Sequence, residues 1–113
     1  MHEMSIALSI IDLVSDQFKK AEAEMIKEVE LDIGTISGVE IEALKFALDV
    51  ASKNTLVQDA EIKINTIEAQ SECLECGHVF SSFAHINKCP KCNELNTKIM
   101  KGKELQVKSI VVE

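Results

Sequence analysis

A chain of 113 residues with 46% hydrophobic side chains, no Trp and no Tyr has material for one compact unit with a modest core and room for a small appended module. Its 12 basic and 19 acidic residues give a net charge of -7, a surplus that repels a phosphate backbone and argues against nucleic acid as a partner. No apolar run approaches the roughly 20 residues of a membrane span, and Glu3 and Asp12 interrupt the first apolar stretch with no small-residue cleavage site after it. A cytoplasmic protein without membrane attachment is therefore expected. In such a reducing compartment, four cysteines in short pairs read as metal ligands sooner than as disulfides.

From Met4 to Lys20 the residues Ala7, Ile10, Ile11, Val14 and Phe18 recur at helical spacing, with Ser9, Asp12, Asp16 and Lys19 opposite. "KEVELDIG" alternates next. Val29, Leu31 and Ile33 point one way and Glu28, Glu30 and Asp32 the other, which predicts a half-buried strand ending at Gly34. "SGVEIEALKFALDVAS" predicts a second helix, with Ser37 as N-cap and Glu40 completing a capping box, and with Ile41, Leu44, Leu48 and Ala51 as its buried stripe. "AEIKINTIE" alternates again through Ile62 and Ile64. In the closing "KELQVKSIVVE" the apolar phase slips between Leu105/Val107 and Ile110/Val112, which predicts a bulge or a strand covered on both sides.

Between those last two strands the composition changes. "SECLECGHVFSSFAHINKCPKCNELN" holds all four cysteines and the only proline. Over residues 70–99, Glu72, Glu75 and Glu94 balance Lys88, Lys91 and Lys98, so the whole net charge lies outside this stretch. The expected fold is α+β: two helices packed on a small three-stranded sheet, with an inserted zinc-ribbon domain. Residues 1–69 plus 100–113 form one domain and 70–99 the other.

Cys73-x2-Cys76 and Cys89-x2-Cys92 are separated by twelve residues. Each pair directs two sulfurs at one ion, and the loop brings the pairs together as a tetrahedral thiolate set about 2.3 Å from zinc. Gly77 and Pro90 sit where such turns want a small residue or a fixed φ. Four thiolates leave no position for a substrate, so a zinc held here would be structural. An iron centre on the same thiolates stays open, while a redox pair fits less well without a helix N-terminus beside it. His78 and His85 need no role beyond the surface; beside the thiolates, an imidazole would make the module sensitive to pH.

The start, "MHEMS", is chemically distinct. A terminal amine has a pKa near 7.7–8.0. With the His2 imidazole and intervening amide nitrogens it offers several nitrogen donors, a set suited to Ni(II) or Cu(II), and nickel is the more available in a cytosol. Because His2 is bulky, Met1 is expected to be retained and the amine to be its own. Glu3 also suits the first helical turn through the helix dipole.

Three motifs in order, "MHEMS", "LDIGTISGVE" and "CLECGHVF…CPKC", resemble the HypA/HybF family of hydrogenase nickel-incorporation proteins along the whole chain. That resemblance implies a nickel metallochaperone serving [NiFe]-hydrogenase, and in some organisms urease. The implied partners are a nickel-handling GTPase and the hydrogenase large subunit. It implies His2 as nickel ligand, with the Met1 amine and the backbone nitrogens of His2 and Glu3 as co-ligands. Glu40 would stand near that site as a further ligand or as partner of His2, and Cys73, Cys76, Cys89 and Cys92 would hold zinc. A Glu40→Gln change separates ligand from cap, since only a capping role would lower stability while sparing nickel affinity.

No nucleophile–base motif, P-loop or glycine-rich phosphate cradle is present, so no catalytic turnover is expected and GTP hydrolysis would belong to a partner. The sequence leaves monomer and homodimer both open. The rival readings are a ribbon that binds nucleic acid, disfavoured by its neutrality, and a protein-docking adaptor that does not transfer nickel.

Overall fold

The computed structural model describes residues 2–113. Its larger sheet is organised around one central strand, β1 (Ile26–Gly34). β1 pairs in parallel with β2 (Glu61–Ile67) and antiparallel with β6 (Leu105–Val112), in the order β2-β1-β6. A parallel pair needs a crossover, and α2 (Ile41–Ser52) supplies it between β1 and β2. Before β1 comes α1 (Glu3–Lys20), and both helices lie on the face of the sheet to which Val29, Leu31 and Ile33 point.

The core follows from the alternation. Leu31 and Ile33 of β1, Leu44 and Leu48 of α2 and Val14 of α1 are all fully buried, each worth roughly 1.5–3 kcal/mol of transfer free energy. The opposite face of β1 is polar. Asn65 of β2 donates to Glu30 at 2.6 Å and to Asp32 at 3.0 Å, and Lys63 pairs with Glu28 at 3.0 Å.

The expected irregularity in the last strand is a bulge. Glu30 faces Ser109 but Leu31 faces Val107, so Lys108 is the extra residue. This lets Val107 and Ile110 face the helices from opposite sides of the phase slip.

The start of α2 differs from expectation. Gly38 is left-handed at φ +85°, which no helix accommodates, and Ser37 Oγ accepts the Val39 N–H at 3.3 Å in a local turn. The helix starts three residues later than a Ser37 cap would require, with Glu40 as N-cap and no side-chain cap bond of its own. The Ser37–Glu40 capping box is absent.

The second sheet is small. β3 (Gln70–Cys73) is central, with β4 (Val79–Ser81) and β5 (Thr97–Lys101) antiparallel on either side. Under it the buried Ser71 and Ser82 hydroxyls bond to each other. The two sheets meet at a tight joint. Gly34 N–H donates to the Glu104 carbonyl at 2.7 Å, Ile36 N–H to the Gly102 carbonyl at 2.9 Å, and Ala69 N–H to Thr35 Oγ1 at 3.0 Å. A Cβ at Gly34 would overlap the Gly102 carbonyl, and one at Gly102, itself at φ +115°, would overlap Ala69. Only glycines allow the backbones to approach this closely.

Candidate metal centres

The two C-x-x-C turns are built alike. Cys73 N–H bonds the His78 carbonyl at 2.8 Å and Cys89 N–H the Glu94 carbonyl at 2.9 Å. Gly77 N–H returns to the Cys73 carbonyl and Asn93 N–H to the Cys89 carbonyl, both at 2.8 Å. Each return needs a left-handed residue directly after the second cysteine. Gly77 provides it at φ +78° and Asn93 at φ +64°. The role of Asn93 was missed in the sequence, although laying "CLECG" over "CPKCN" would have found it.

These turns bring four sulfurs within 4.8 Å of one another. Cys73 and Cys92 sulfurs lie 3.5 Å apart and Cys76 and Cys89 sulfurs 3.7 Å apart. A tetrahedron with 2.3 Å metal–sulfur bonds has edges of about 3.8 Å, so the cluster has the dimensions of a zinc tetrathiolate. Cys73 and Cys89 are buried, Cys92 is half-buried and Cys76 is exposed.

The electrostatics also favour a cation. Burial opposes the Cys89 thiolate, but the N–H groups of Cys92 and Lys91 and the neighbouring thiols outweigh it and lower its pKa to about 7. Cys92 goes the other way. The Glu94 N–H favours its thiolate, yet burial and the other three sulfurs raise it to about 12. One thiol ionises readily and another resists because four like charges converge on one point. A divalent ion at that point allows all four to ionise. Among the described residues no histidine joins the cluster; His78 stacks on Phe80 at 6.0 Å between ring centres.

The amino-terminal residues lie beside Leu105 and Gln106, at the end of β6 that adjoins the joint between the two sheets. Met1 falls outside the described residues. His2 is exposed, its backbone extended at φ -88° and ψ 113°, and it is the N-cap of α1 without a side-chain cap bond. Its carbonyl accepts the Ile6 N–H at 3.2 Å. Glu3 Oε2 accepts the Glu40 N–H at 3.2 Å, and this bond, with one from Glu3's own backbone, holds the Glu3 carboxyl below its ordinary range. Glu3 and Glu40 therefore meet, Glu3 through its side chain and Glu40 through its backbone. The Glu40 side chain is exposed and takes no part in capping, so helix capping does not account for it.

Two helices on a three-stranded sheet, joined to a small sheet that carries a closed four-thiol cluster, define an α+β protein of the metal-ribbon class. A family described as "Hydrogenase/urease nickel incorporation, metallochaperone, hypA" matches residues 1–112. Hydrogenase maturation factor HypA of Parabacteroides distasonis is 46% identical over 100% of this chain and 98% of its own length, and that of Chlorobium phaeobacteroides is 42% identical over 100% of each. The solution structure of the Ni metallochaperone HypA from Helicobacter pylori superposes with a TM-score of 0.69 at 32% identity, covering 99% of this chain and 97% of that one. A second HypA solution structure gives 0.73 at 29% identity, covering 100% and 97%. The chain belongs to the HypA family of nickel metallochaperones, which are carriers and not enzymes. Among the described residues no helix is long and apolar enough to cross a membrane.

Proposed function

We propose that this protein binds Ni(II) at its amino terminus and delivers it to the precursor of a [NiFe]-hydrogenase. His2 is the central ligand, the Met1 amine and the backbone nitrogens of His2 and Glu3 are co-ligands, and Glu40 stands beside the site. The observation that carries this reading is the state of His2. Its ring is exposed and, among the described residues, makes no hydrogen bond, while the next residue is tied to α2 through the Glu3–Glu40 bond. A donor that is accessible and uncommitted, on a fixed base, suits a carrier that must both hold and release its ion. Protons compete with a metal for nitrogen donors, which gives the carrier a release route.

The four thiolates of Cys73, Cys76, Cys89 and Cys92 hold a structural zinc and leave no position open to substrate. Residues 1–69 with 100–113 form the nickel domain and 70–99 the zinc domain, a division supported by the two separate sheets, although β5 carries the ribbon's sheet on to Lys101. The working partners are a nickel-handling GTPase and the hydrogenase large subunit, and the setting is the cytoplasm.

The test is metal analysis and nickel titration of the purified protein against His2→Ala. The variant is expected to lose one nickel equivalent and keep its zinc. An unchanged nickel stoichiometry overturns the site.

A further inference from the structure

The larger sheet is not fully covered by its two helices. Along the outer side of α1 runs an open groove of about 470 Å³, walled by Ser5, Ser9 and Leu13 of α1 and by Leu105 and Val107 of β6, with His2 at its mouth. Past Val107 it continues as a second hollow of about 290 Å³, beside Phe18 and Ile110. Together the two follow α1, whose 18 residues span about 27 Å. Leu13 and Leu105 are 47% and 38% exposed, so apolar surface here is left to solvent.

We propose that this groove receives an amphipathic helix from another protein, apolar on the face that enters and basic along its flanks. Three features define that occupant. β6 is an edge strand, yet Lys108 bulges from its middle and its amine is drawn to Glu30 at 3.5 Å. A bulge and a lysine are devices that stop an added strand from pairing, so a helix fits better than an extended peptide. Ser5 and Ser9 are small, which lets the backbone of an incoming helix approach α1.

Charge selects the flanks. Asp12 and Asp16 continue the helical row of Ser5 and Ser9 and are exposed, Asp16 paired with Lys20 at 3.3 Å and Asp12 without an ion pair among the described residues, and the entire net charge of -7 resides outside residues 70–99. A second copy of this chain laid on the groove through α1 would set that acidic row against its own counterpart. A lysine- or arginine-flanked helix meets it with opposite charge. Because His2 lines the mouth, the occupant's end comes to rest beside the first residues of the chain. Groove and occupant do not depend on nickel at His2, and the experiment is run without nickel on the zinc-loaded protein.

The probe is a synthetic helical peptide of about 18 residues, the length of α1, with a leucine–alanine stripe and lysine flanks, compared with a twin carrying glutamate flanks. By fluorescence anisotropy at low ionic strength, the lysine peptide is expected to bind the full-length chain, free of nickel and with its zinc retained, at least about tenfold more tightly than its twin. Ser9→Arg, which fills the groove, and Asp12→Lys, which alters only the exposed rim, should each weaken it by about tenfold or more. The His2 ring resonances should shift on titration of the lysine peptide. Equal binding of the twins, no binding of the lysine peptide, or binding indifferent to both substitutions overturns the proposal. So does a wild-type dimer in sedimentation that Ser9→Arg dissociates, because the occupant would then be a second copy.

Discussion

The Glu3 carboxylate accepts the backbone N–H of Glu40 at 3.2 Å, joining the first turn of α1 to the first turn of α2 across 37 positions of sequence. This is the service that a glutamate within α2 itself renders in a capping box, performed here from the neighbouring helix. Replacing Glu3 by Gln keeps an acceptor and loses the charge, whereas Glu3→Ala leaves the N–H without its protein partner. The alanine variant is expected to melt a few degrees lower and the glutamine variant to fall in between, by circular dichroism. Equal melting of all three proteins would dismiss the bond.

Glu30 predicts an acid limb in the stability profile. The Asn65 amide at 2.6 Å, then Lys108 and Ser109, hold its carboxyl below the ordinary 4.5. A lowered carboxylate contributes stability above the unfolded value and loses it as pH falls through the folded one. Asn65→Ala should therefore reduce stability at neutral pH and flatten the decline below about pH 4.5. Denaturant melts at pH 7 and pH 3 check this, and a constant difference between variant and wild type at both would refute it.

The joint between the sheets should be intolerant of a single methyl group. Gly102→Ala meets Ala69 and a backbone at φ +115°, and Gly34→Ala meets the Gly102 carbonyl. Each is expected to cost about 2 kcal/mol or more in urea unfolding. By contrast Gly38→Ala has open space around the new methyl and faces only the strain of its φ.

Asn93 offers a cleaner backbone test, because its left-handed φ is needed and its side chain is exposed. Asn93→Gly should leave the ribbon as stable or more so, and Asn93→Val should cost about 1–3 kcal/mol. Resistance of the bound metal to a competing chelator reads out both.

Stripping the thiolate-bound ion should unfold one sheet and spare the other. The apolar cluster under β2-β1-β6 draws no buried residue from the ribbon, so it does not need the ribbon to exist. Hydrogen exchange after chelation is expected to show lost protection at Ser71 to Cys73 and retained protection at Leu31 and Ile33. Simultaneous loss in both sheets would make the protein one cooperative unit.

Much of this was open to inspection in the chain. Period-two and period-3.6 patterns are one-dimensional records of burial, so Val29, Leu31, Ile33, Leu44 and Leu48 could be placed in the core before any fold was known. The slip between Val107 and Ile110 became the Lys108 bulge. Cysteine spacing set the four-thiol cluster, because two short turns leave little freedom in where sulfurs go. The start of α2 was misjudged, since a capping box is a local motif and the left-handed Gly38 broke it. A glycine in sequence does not announce the sign of its φ.

The sequence by itself settled which residues are apolar, at what period, and which four sulfurs would converge, since these follow from covalent spacing and side-chain chemistry. Only the folded chain decided that Glu3 reaches Glu40, that Gly34 rests on Gly102 and that His2 opens onto the groove beside Leu105. Those contacts join residues distant along the chain, and no local pattern encodes which distant backbone will arrive.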